Sequence, residues 1–391
     1  MRQAGFSVYI HVPFCAKKCP YCDFNTYATK SIPEADYVDA LLSEMRWHRA
    51  HTVLDRGPAL TVFFGGGTPS LLSPTSIKKL INEVAVVFGI SPDAEISLEA
   101  NPSGMSEAAY RALLDAGVNR LSFGVQSFDD AQLSVLGRDH SSKRAMQAIK
   151  DAHRAGFRRI SLDLMCGVPG QSCDGFERDI AVATSLPIGH LSVYALSIEP
   201  GTPFFQRFER GLLALPLEDE VVSMLSVLPK RLYECGFSRY EISNYARAGQ
   251  ESVHNTVYWE GGDYLGLGAG AHSFVRQGAC EYQTARRWSN VALPATYMKA
   301  AGDGSMISWR ESLSEDALSY EFFYLGLRMT KGVSKYDFCQ RFGATRWSLY
   351  EATIADLMKE GLIVEDGDRL FLSERGILIS DSVFEQLVVT R

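Results

Sequence analysis

The 391-residue chain contains no unbroken apolar run of the roughly 20 residues that a membrane-spanning helix takes. Its first residues, MRQAGFSVYI, hold one basic residue and run straight into a β-rich stretch, so no secretory or transit signal is expected. An excess of positive charge is also missing. With 39 Lys and Arg against 46 Asp and Glu the formal charge is −7, which points away from a phosphate-backbone partner. Cysteine is too sparse for a disulfide framework. Of the 8 present, three are clustered and five are scattered (Cys166, Cys173, Cys235, Cys280 and Cys339), the pattern of reduced thiols around a metal. A cytoplasmic protein is expected, with peripheral contact at the inner face of a membrane as the variant of that location. The length suits one large domain plus one or two small ones.

The clustered cysteines are the most informative feature. Cys15, Cys19 and Cys22 stand at spacings of four and three in a loop that follows the run Val8–Val12. Three thiolates so close suit zinc or an iron–sulfur cluster, and they leave one coordination position for another group. The next cysteine is Cys166, so the loop does not close a four-thiolate site by itself. His11 would complete a structural zinc site, and from the cysteines alone that reading stays open.

Short β-rich runs recur at Val8–Val12, Thr61–Phe64, Glu95–Ala100, Arg120–Val125, Arg159–Met165 and His190–Ile198. Helical periodicity fills the intervals near Glu34–Val53, Thr75–Phe88, Ser106–Ala116, Asp129–Leu136, Ser142–Ala155 and Gly175–Ser185. Apolar strands alternating with amphipathic helices predict an α/β fold with a parallel sheet, here a partial (β/α)6 barrel whose functional loops lie at the strand C-termini. The cysteine loop falls on that face. So does Gly65-Gly66-Gly67-Thr68-Pro69 after the second strand, where backbone without side chains lets a ligand approach closely. Four further strand ends bring Glu99, Gln126, Asp163 and Tyr194-Ala195 to the same rim, carboxylates and an amide suited to ribose hydroxyls. Arg138, in LGRDH, offers a planar fork for a carboxylate.

The C-x3-C-x2-C spacing with Tyr21 before the last cysteine resembles the signature of the radical S-adenosylmethionine (SAM) enzymes, and the whole stretch resembles their oxygen-independent coproporphyrinogen III oxidase branch. The resemblance implies a 4Fe-4S cluster on Cys15, Cys19 and Cys22, with SAM chelating the fourth iron, which makes zinc the weaker reading. It also implies SAM contacts at Tyr9, Tyr21, Gly66, Gly67, Thr68, Glu99, Gln126, Arg138, Asp163 and Ala195. One departure matters. The oxidases continue their motif to a further cysteine where this chain has Phe24, which argues against coproporphyrinogen oxidase activity.

Beyond Ile198 the strand–helix rhythm stops. Glu199–Glu220 reads as a Pro-containing connection into a helix near Glu218–Cys235, followed by YEISNYA at Tyr240–Ala246, HNTVYW at His254–Trp259 and a glycine-rich turn, Asp263–Ser273, with His272. An imidazole among large aromatics is one way to ligate haem iron and cover a macrocycle. HNTVYW resembles the haem motif of the haem-chaperone members of this branch, which also have Phe at the position of Phe24. That resemblance implies haem as ligand with His254 on the iron, a haem donor such as bacterioferritin, and membrane-bound respiratory haem apoproteins as recipients. The coproporphyrinogen oxidase reaction is the alternative. On this reading Tyr258 and Trp259 stack on the porphyrin, away from the cysteine loop, and His272 is the rival ligand.

The expected domains are a radical SAM core over 1–237, a bridging α+β segment over 238–311 and a winged-helix-like unit over 312–391. In the last, helices at Glu315–Arg328, Ser334–Phe342 and Arg346–Glu360 precede two apolar runs joined by an Asp366-Gly367 turn. Trp347, Tyr350, Ile354 and Leu357 form its core stripe. Winged helices often bind DNA, but 311–391 carries 14 acidic and 9 basic residues, and the third helix offers Glu351, Asp356 and Glu360 where a reading helix needs Arg or Lys, so no nucleic-acid partner is expected.

Overall fold

A computed structural model describes residues 5–52, 57–277 and 284–388. Val53, the last residue of the first expected helix, and Cys280 lie outside the described residues. The six expected strand–helix units form. Their strands are β1 (Phe6–Val12), β2 (Ala59–Gly66), β3 (Ile90–Ala100), β4 (Arg120–Gln126), β5 (Arg159–Cys166) and β6 (His190–Ala195). The helices between them are α1 (Glu34–His51), α2 (Pro74–Phe88), α3 (Glu107–Asp115), α4 (Asp130–Val135), α5 (Ser142–Ala155) and α6 (Cys173–Ser185). Local chemistry sets the helix ends. Ser73, Ser106, Asp129, Ser141 and Ser172 each accept a backbone N–H from the first turn that follows, satisfying donors with no intrahelical partner.

The strands β1 to β6 pair in parallel and in chain order. Side chains alternate across them. In β5, Ile160, Leu162 and Leu164 join the core under the helices, while Ser161 and Asp163 face the concave side. The outward set, with Val8, Ile10, Val62, Phe64, Leu98, Leu121, Phe123, Leu191 and Val193, packs on α1, α2, α3, α5 and α6 as one continuous hydrophobic cluster. Such a sheet must curve around its polar face, because only the outer face offers area to bury.

The bridging residues extend this sheet rather than standing apart from it. β9 (Tyr264–Leu267) pairs in parallel with β1 as a seventh parallel strand. β10 (His272–Gln277), β11 (Thr284–Asn290) and β12 (Ile307–Leu313) continue antiparallel beyond it. On the far flank β8 (Asn244–Ala246) pairs antiparallel with β6, and β7 (Ser238–Arg239) with β8. The glycines of Asp263–Ser273 therefore serve close strand packing as well as turning. A Cβ at Gly266 would lie 2.0 Å from the His272 carbonyl oxygen. His272 opens strand β10, paired with Ser289, which corrects its expected place in a tight turn.

Two other expectations need correction. The connection Glu199–Glu220 contains α7 (Pro203–Glu209), because Thr202 caps it by accepting from Phe205 N and Pro203 fits the first helical position. It leads into α8 (Glu218–Glu234). The helix expected over Arg346–Glu360 is two, α13 (Ala344–Trp347) and α14 (Glu351–Lys359). Even so Trp347, Tyr350, Ile354 and Leu357 are all buried, around Phe323 and Phe338. With α11 (Glu315–Gly326), α12 (Lys335–Phe342) and a small sheet of β13 (Val333–Ser334), β15 (Arg369–Leu372) and β14 (Ile363–Asp366), they form a second hydrophobic cluster. No helix among the described residues is long and apolar enough to cross a membrane.

Candidate functional site

The C-terminal ends of the parallel strands surround a cavity of about 540 Å³. Of the residues singled out in the sequence, Tyr9, Cys15, Cys19, Tyr21, Cys22, Gly66, Gly67, Thr68, Glu99, Gln126, Arg138, Asp163 and His254 all line it. Ala195 does not, although its neighbours Tyr194 and Leu196 do. It ends β6 opposite Cys166.

The cysteine loop is tied to the sheet by backbone hydrogen bonds. Tyr27 N donates to the Pro13 carbonyl at 2.7 Å and Thr29 N to that of Cys15 at 2.9 Å. Asn25 Nδ2 reaches the carbonyls of Ala269 and Ala292, both at 3.0 Å. Each thiol has its own neighbour. Thr68 Oγ1 donates to Cys15 Sγ at 3.6 Å, Arg138 Nη1 to Cys19 Sγ at 3.4 Å, and Thr26 Oγ1 lies 3.9 Å from Cys22 Sγ. Burial pushes the Cys15 thiol up, with the other two thiols adding to it against the Thr68 hydrogen bond. Among the described residues no three Cys, His, Asp or Glu side chains converge on one point, as a single ion would require. A 4Fe-4S cluster places its thiolates on separate irons, so three thiols ringing one cavity mouth, beside a guanidinium, fit it. His11, the rival ligand, has both ring nitrogens engaged. Its Nε2 donates to the Asn25 carbonyl at 2.9 Å, so its Nδ1 accepts from Tyr9 Oη at 3.0 Å. Phe24 stands at the mouth, 64% exposed.

The glycine turn abuts that loop. Gly67 N and Thr68 N donate to the carbonyls of Val12 and Phe14, each at 2.8 Å. Gly66 has φ +110° and a Cβ there would meet His11 at 2.4 Å; one on Gly67 would meet the Phe14 carbonyl at 2.6 Å. These two positions demand glycine. At the end of β4, Gln126 has φ 71°, the left-handed exception among the described non-glycine residues, beside a bulge where the pairing with β5 slips between Gly124 and Gln126. The bulge turns the strand end at the cavity and stores strain there.

Glu99 and Asp163 are the strand-end carboxylates of the cavity, whose lining also includes Asp23, Asp139 and Glu199. Glu99 Oε2 accepts from Gly66 N at 3.0 Å. Burial, with Asp163 adding to it, raises Glu99 to about 7 despite that hydrogen bond. Burial raises Asp163 to about 6, opposed by Ser192, Arg120, Arg138 and Ser122. A cationic ligand would relieve both. Arg138 bridges two partners, donating through Nη2 to the Gly124 carbonyl at 2.7 Å and through Nη1 to Cys19, while its buried Nε has no partner in the structure. That orphaned donor fits a ligand carboxylate.

The HNTVYW motif brings His254, Asn255 and Tyr258 to this same cavity, not apart from the cysteines. It forms α9 (Val253–Trp259), capped by Ser252, and the Glu95 carboxylate accepts from Val253 N at 3.3 Å and His254 N at 3.1 Å. Glu95 in turn pairs with Arg120 at 3.6 Å and Arg159 at 3.0 Å. His254 is 1% exposed, stacked on Phe63 with ring centroids 4.8 Å apart, and burial lowers its pKa to about 3. Its Nδ1 lies 2.6 Å from Thr61 Oγ1 and its Nε2 2.9 Å from Tyr258 Oη. The two aromatics of the motif diverge. Tyr258 lines this cavity, whereas Trp259 lies under Arg328 and borders a second cleft of about 430 Å³ with Phe274 and Phe322. They therefore do not form one stacking face, which corrects the expectation from the sequence.

Sequence reasoning missed Glu95, which seats α9, and the polar lining from Ser97, Arg120, Ser122, Ser161, His190 and Ser192. The signal was present as period-two alternation of polar and apolar residues, for example Arg120-Leu121-Ser122-Phe123 and Ser161-Leu162-Asp163-Leu164.

Comparison with known proteins agrees with this architecture. Residues 9–183 match the Radical SAM superfamily, and residues 313–379 the HemN C-terminal domain. The chain is 39% identical to the heme chaperone HemW of Bacillus subtilis over 97% of its own length and 98% of the relative's. It is 38% identical to the heme chaperone HemW of Mycobacterium tuberculosis, covering 98% and 95%. The mitochondrial radical S-adenosyl methionine domain-containing protein 1 of Bos taurus is 37% identical, covering 98% and 87%. Among solved structures, the coproporphyrinogen III oxidase HemN of Escherichia coli superposes with a TM-score of 0.83 at 23% identity, over 99% of this chain and 91% of that one, a likeness of fold.

Proposed function

The chain belongs to the HemW family of the radical SAM superfamily, and from that premise we propose that it is a haem chaperone carrying a SAM-coordinated 4Fe-4S cluster. The observation that carries the reading is the single cavity in which the three thiols, the glycine turn, the two raised carboxylates and His254, Asn255 and Tyr258 of HNTVYW meet. Cys15, Cys19 and Cys22 hold the cluster, which supplies an open iron for SAM. Tyr9, Tyr21, Gly66, Gly67, Thr68, Glu99, Gln126, Arg138 and Asp163 form the SAM pocket, with Ala195 contributing backbone at its rim. Glu99 and Asp163 meet cationic groups of the ligand, and Arg138 meets its carboxylate. Haem enters at the motif residues His254 and Tyr258, against the aromatic rings of Phe63 and Tyr194 and the thioether of Met165. A cavity of this size falls in the range of small-molecule sites.

The division into 1–237, 238–311 and 312–391 goes with this proposal, supported by the second hydrophobic cluster, which lies in the last segment except for Phe274 and Ala285 and the partly buried Ile242 and Tyr264 packed against it. Haem is received from a donor such as bacterioferritin and passed to membrane-bound respiratory haem apoproteins, with the chaperone in the cytoplasm or at the inner membrane face. The test is a haem titration of anaerobically reconstituted protein beside an assay of coproporphyrinogen conversion. Haem uptake without conversion supports the chaperone. Conversion without stable uptake returns the function to the oxidase reaction.

A further inference from the structure

We infer that the iron ligand presented to haem is the phenolic oxygen of Tyr258, with His254 acting behind it as its hydrogen-bond partner. The inference rests on the haem-binding reading above and names the ligating atom within it.

The hydrogen-bond directions carry the argument. Thr61 Oγ1 donates its proton to Ser7 Oγ at 2.8 Å, so toward His254 Nδ1, 2.6 Å away, it accepts. The His254 proton is therefore on Nδ1. That leaves Nε2 as a lone pair, which accepts the Tyr258 O–H at 2.9 Å. Nδ1 is thus occupied by its proton, and Nε2 is covered by the Tyr258 hydroxyl. His254 is also pinned, 1% exposed, stacked on Phe63, and held through its backbone N–H by Glu95. To ligate iron through Nε2 it would have to displace the Tyr258 hydroxyl and bring a fully buried ring to the metal.

Tyr258 is placed oppositely. One turn further along α9, it is partly exposed, lines the cavity, and packs edge-on against both His254 and Tyr264, with centroids 4.9 and 4.6 Å apart. With its proton directed at His254, the oxygen keeps lone pairs for a metal. Phenolate is an established axial ligand of ferric haem. On ligation the oxygen–iron bond forms and the phenolic O–H breaks, its proton leaving to solvent through the cavity. His254 stays neutral, as its burial requires, with its proton on Nε2 toward the ligated oxygen and Nδ1 accepting from Thr61. The i, i+4 spacing of His254 and Tyr258 on one helix provides both partners from one turn.

The experiment is a ferric haem titration of the full-length chain, read by absorption and by resonance Raman with excitation in the phenolate-to-iron band. Wild type is expected to show the charge-transfer band and tyrosinate modes, a reading that needs no variant. Tyr258→Phe should lose both and bind haem at least tenfold more weakly. His254→Ala should keep the tyrosinate modes at shifted frequency. If wild type instead shows an imidazole-type spectrum that His254→Ala abolishes and Tyr258→Phe leaves intact, His254 is the ligand and the inference fails while haem binding stands. A spectrum unchanged in both variants assigns the iron elsewhere and overturns it too. Absence of haem uptake by wild type would sink the chaperone reading itself, and the inference with it.

Discussion

Replacing Glu99 by Gln is expected to make the unliganded protein more stable at alkaline pH, and to remove part of its loss of stability between pH 5 and 8. The cause is the pair of carboxylates facing the cavity. Glu99 is raised from an ordinary 4.5 to about 7, chiefly by burial and then by Asp163, and Asp163 is raised from 3.8 to about 6. A folded-state value above the unfolded one means that folding favours the protonated form. The associated stability is complete below about pH 4 and disappears as pH climbs through 6 to 7. At roughly 1.4 kcal/mol per pKa unit, the Glu99 shift corresponds to about 3 kcal/mol at most. Asp163 contributes separately, its own shift arising from burial. Gln keeps an oxygen for the Gly66 N–H, so geometry is conserved.

The assay is urea denaturation of the metal-free chain, comparing Glu99→Gln with wild type at pH 5, 6, 7 and 8. His11, His140, His190 and His254, all lowered by burial, push stability the other way as pH falls, and they cancel in the comparison. Saturating SAM should flatten the wild-type slope, since its cationic groups favour ionised carboxylates. Parallel slopes in the two proteins would refute the assignment of the raised carboxyl to Glu99.

Four further outcomes are expected. Cys15→Ala, Cys19→Ala or Cys22→Ala should abolish the visible absorption of the reconstituted cluster while Phe24→Ala retains it; stoichiometric zinc with no iron uptake in wild type would contradict the cluster. Arg138→Lys should weaken SAM binding by about 1–3 kcal/mol in calorimetry, because one ammonium does not replace a fork that reaches both Gly124 and Cys19; equal affinity would move the carboxylate site elsewhere. Saturating SAM should change the apparent haem affinity, as the residues proposed for the two ligands line one cavity; independent titrations would mean separate sites. Glu95→Gln should destabilise the fold by about 3 kcal/mol or more, by leaving buried Arg120 without its carboxylate, and a thermal midpoint unchanged from wild type would show that α9 is seated by something else.

Much of this protein is decided within short windows of sequence. The alternation of β-branched runs with capped amphipathic segments fixes the six strand–helix units within a few residues, because caps and periodicity act over one turn or one pleat. The three thiols are likewise local, a consequence of spacing in one loop, and Gly66 and Gly67 follow from backbone room that no side chain permits. What only the tertiary structure decided is everything joined across the chain. Tyr264–Leu267 becomes a seventh parallel strand because β1 has a hydrogen-bonding edge to cover, an event invisible in a glycine-rich segment read alone. His254 meets Thr61 across 193 positions because the Glu95 carboxylate attracts the first N–H groups of α9. That long-range seating turned an imidazole that looks available in sequence into one with both nitrogens engaged. It brought the tyrosine one turn later to the cavity instead, since hydrogen-bond direction is a property of assembled neighbours and not of spacing.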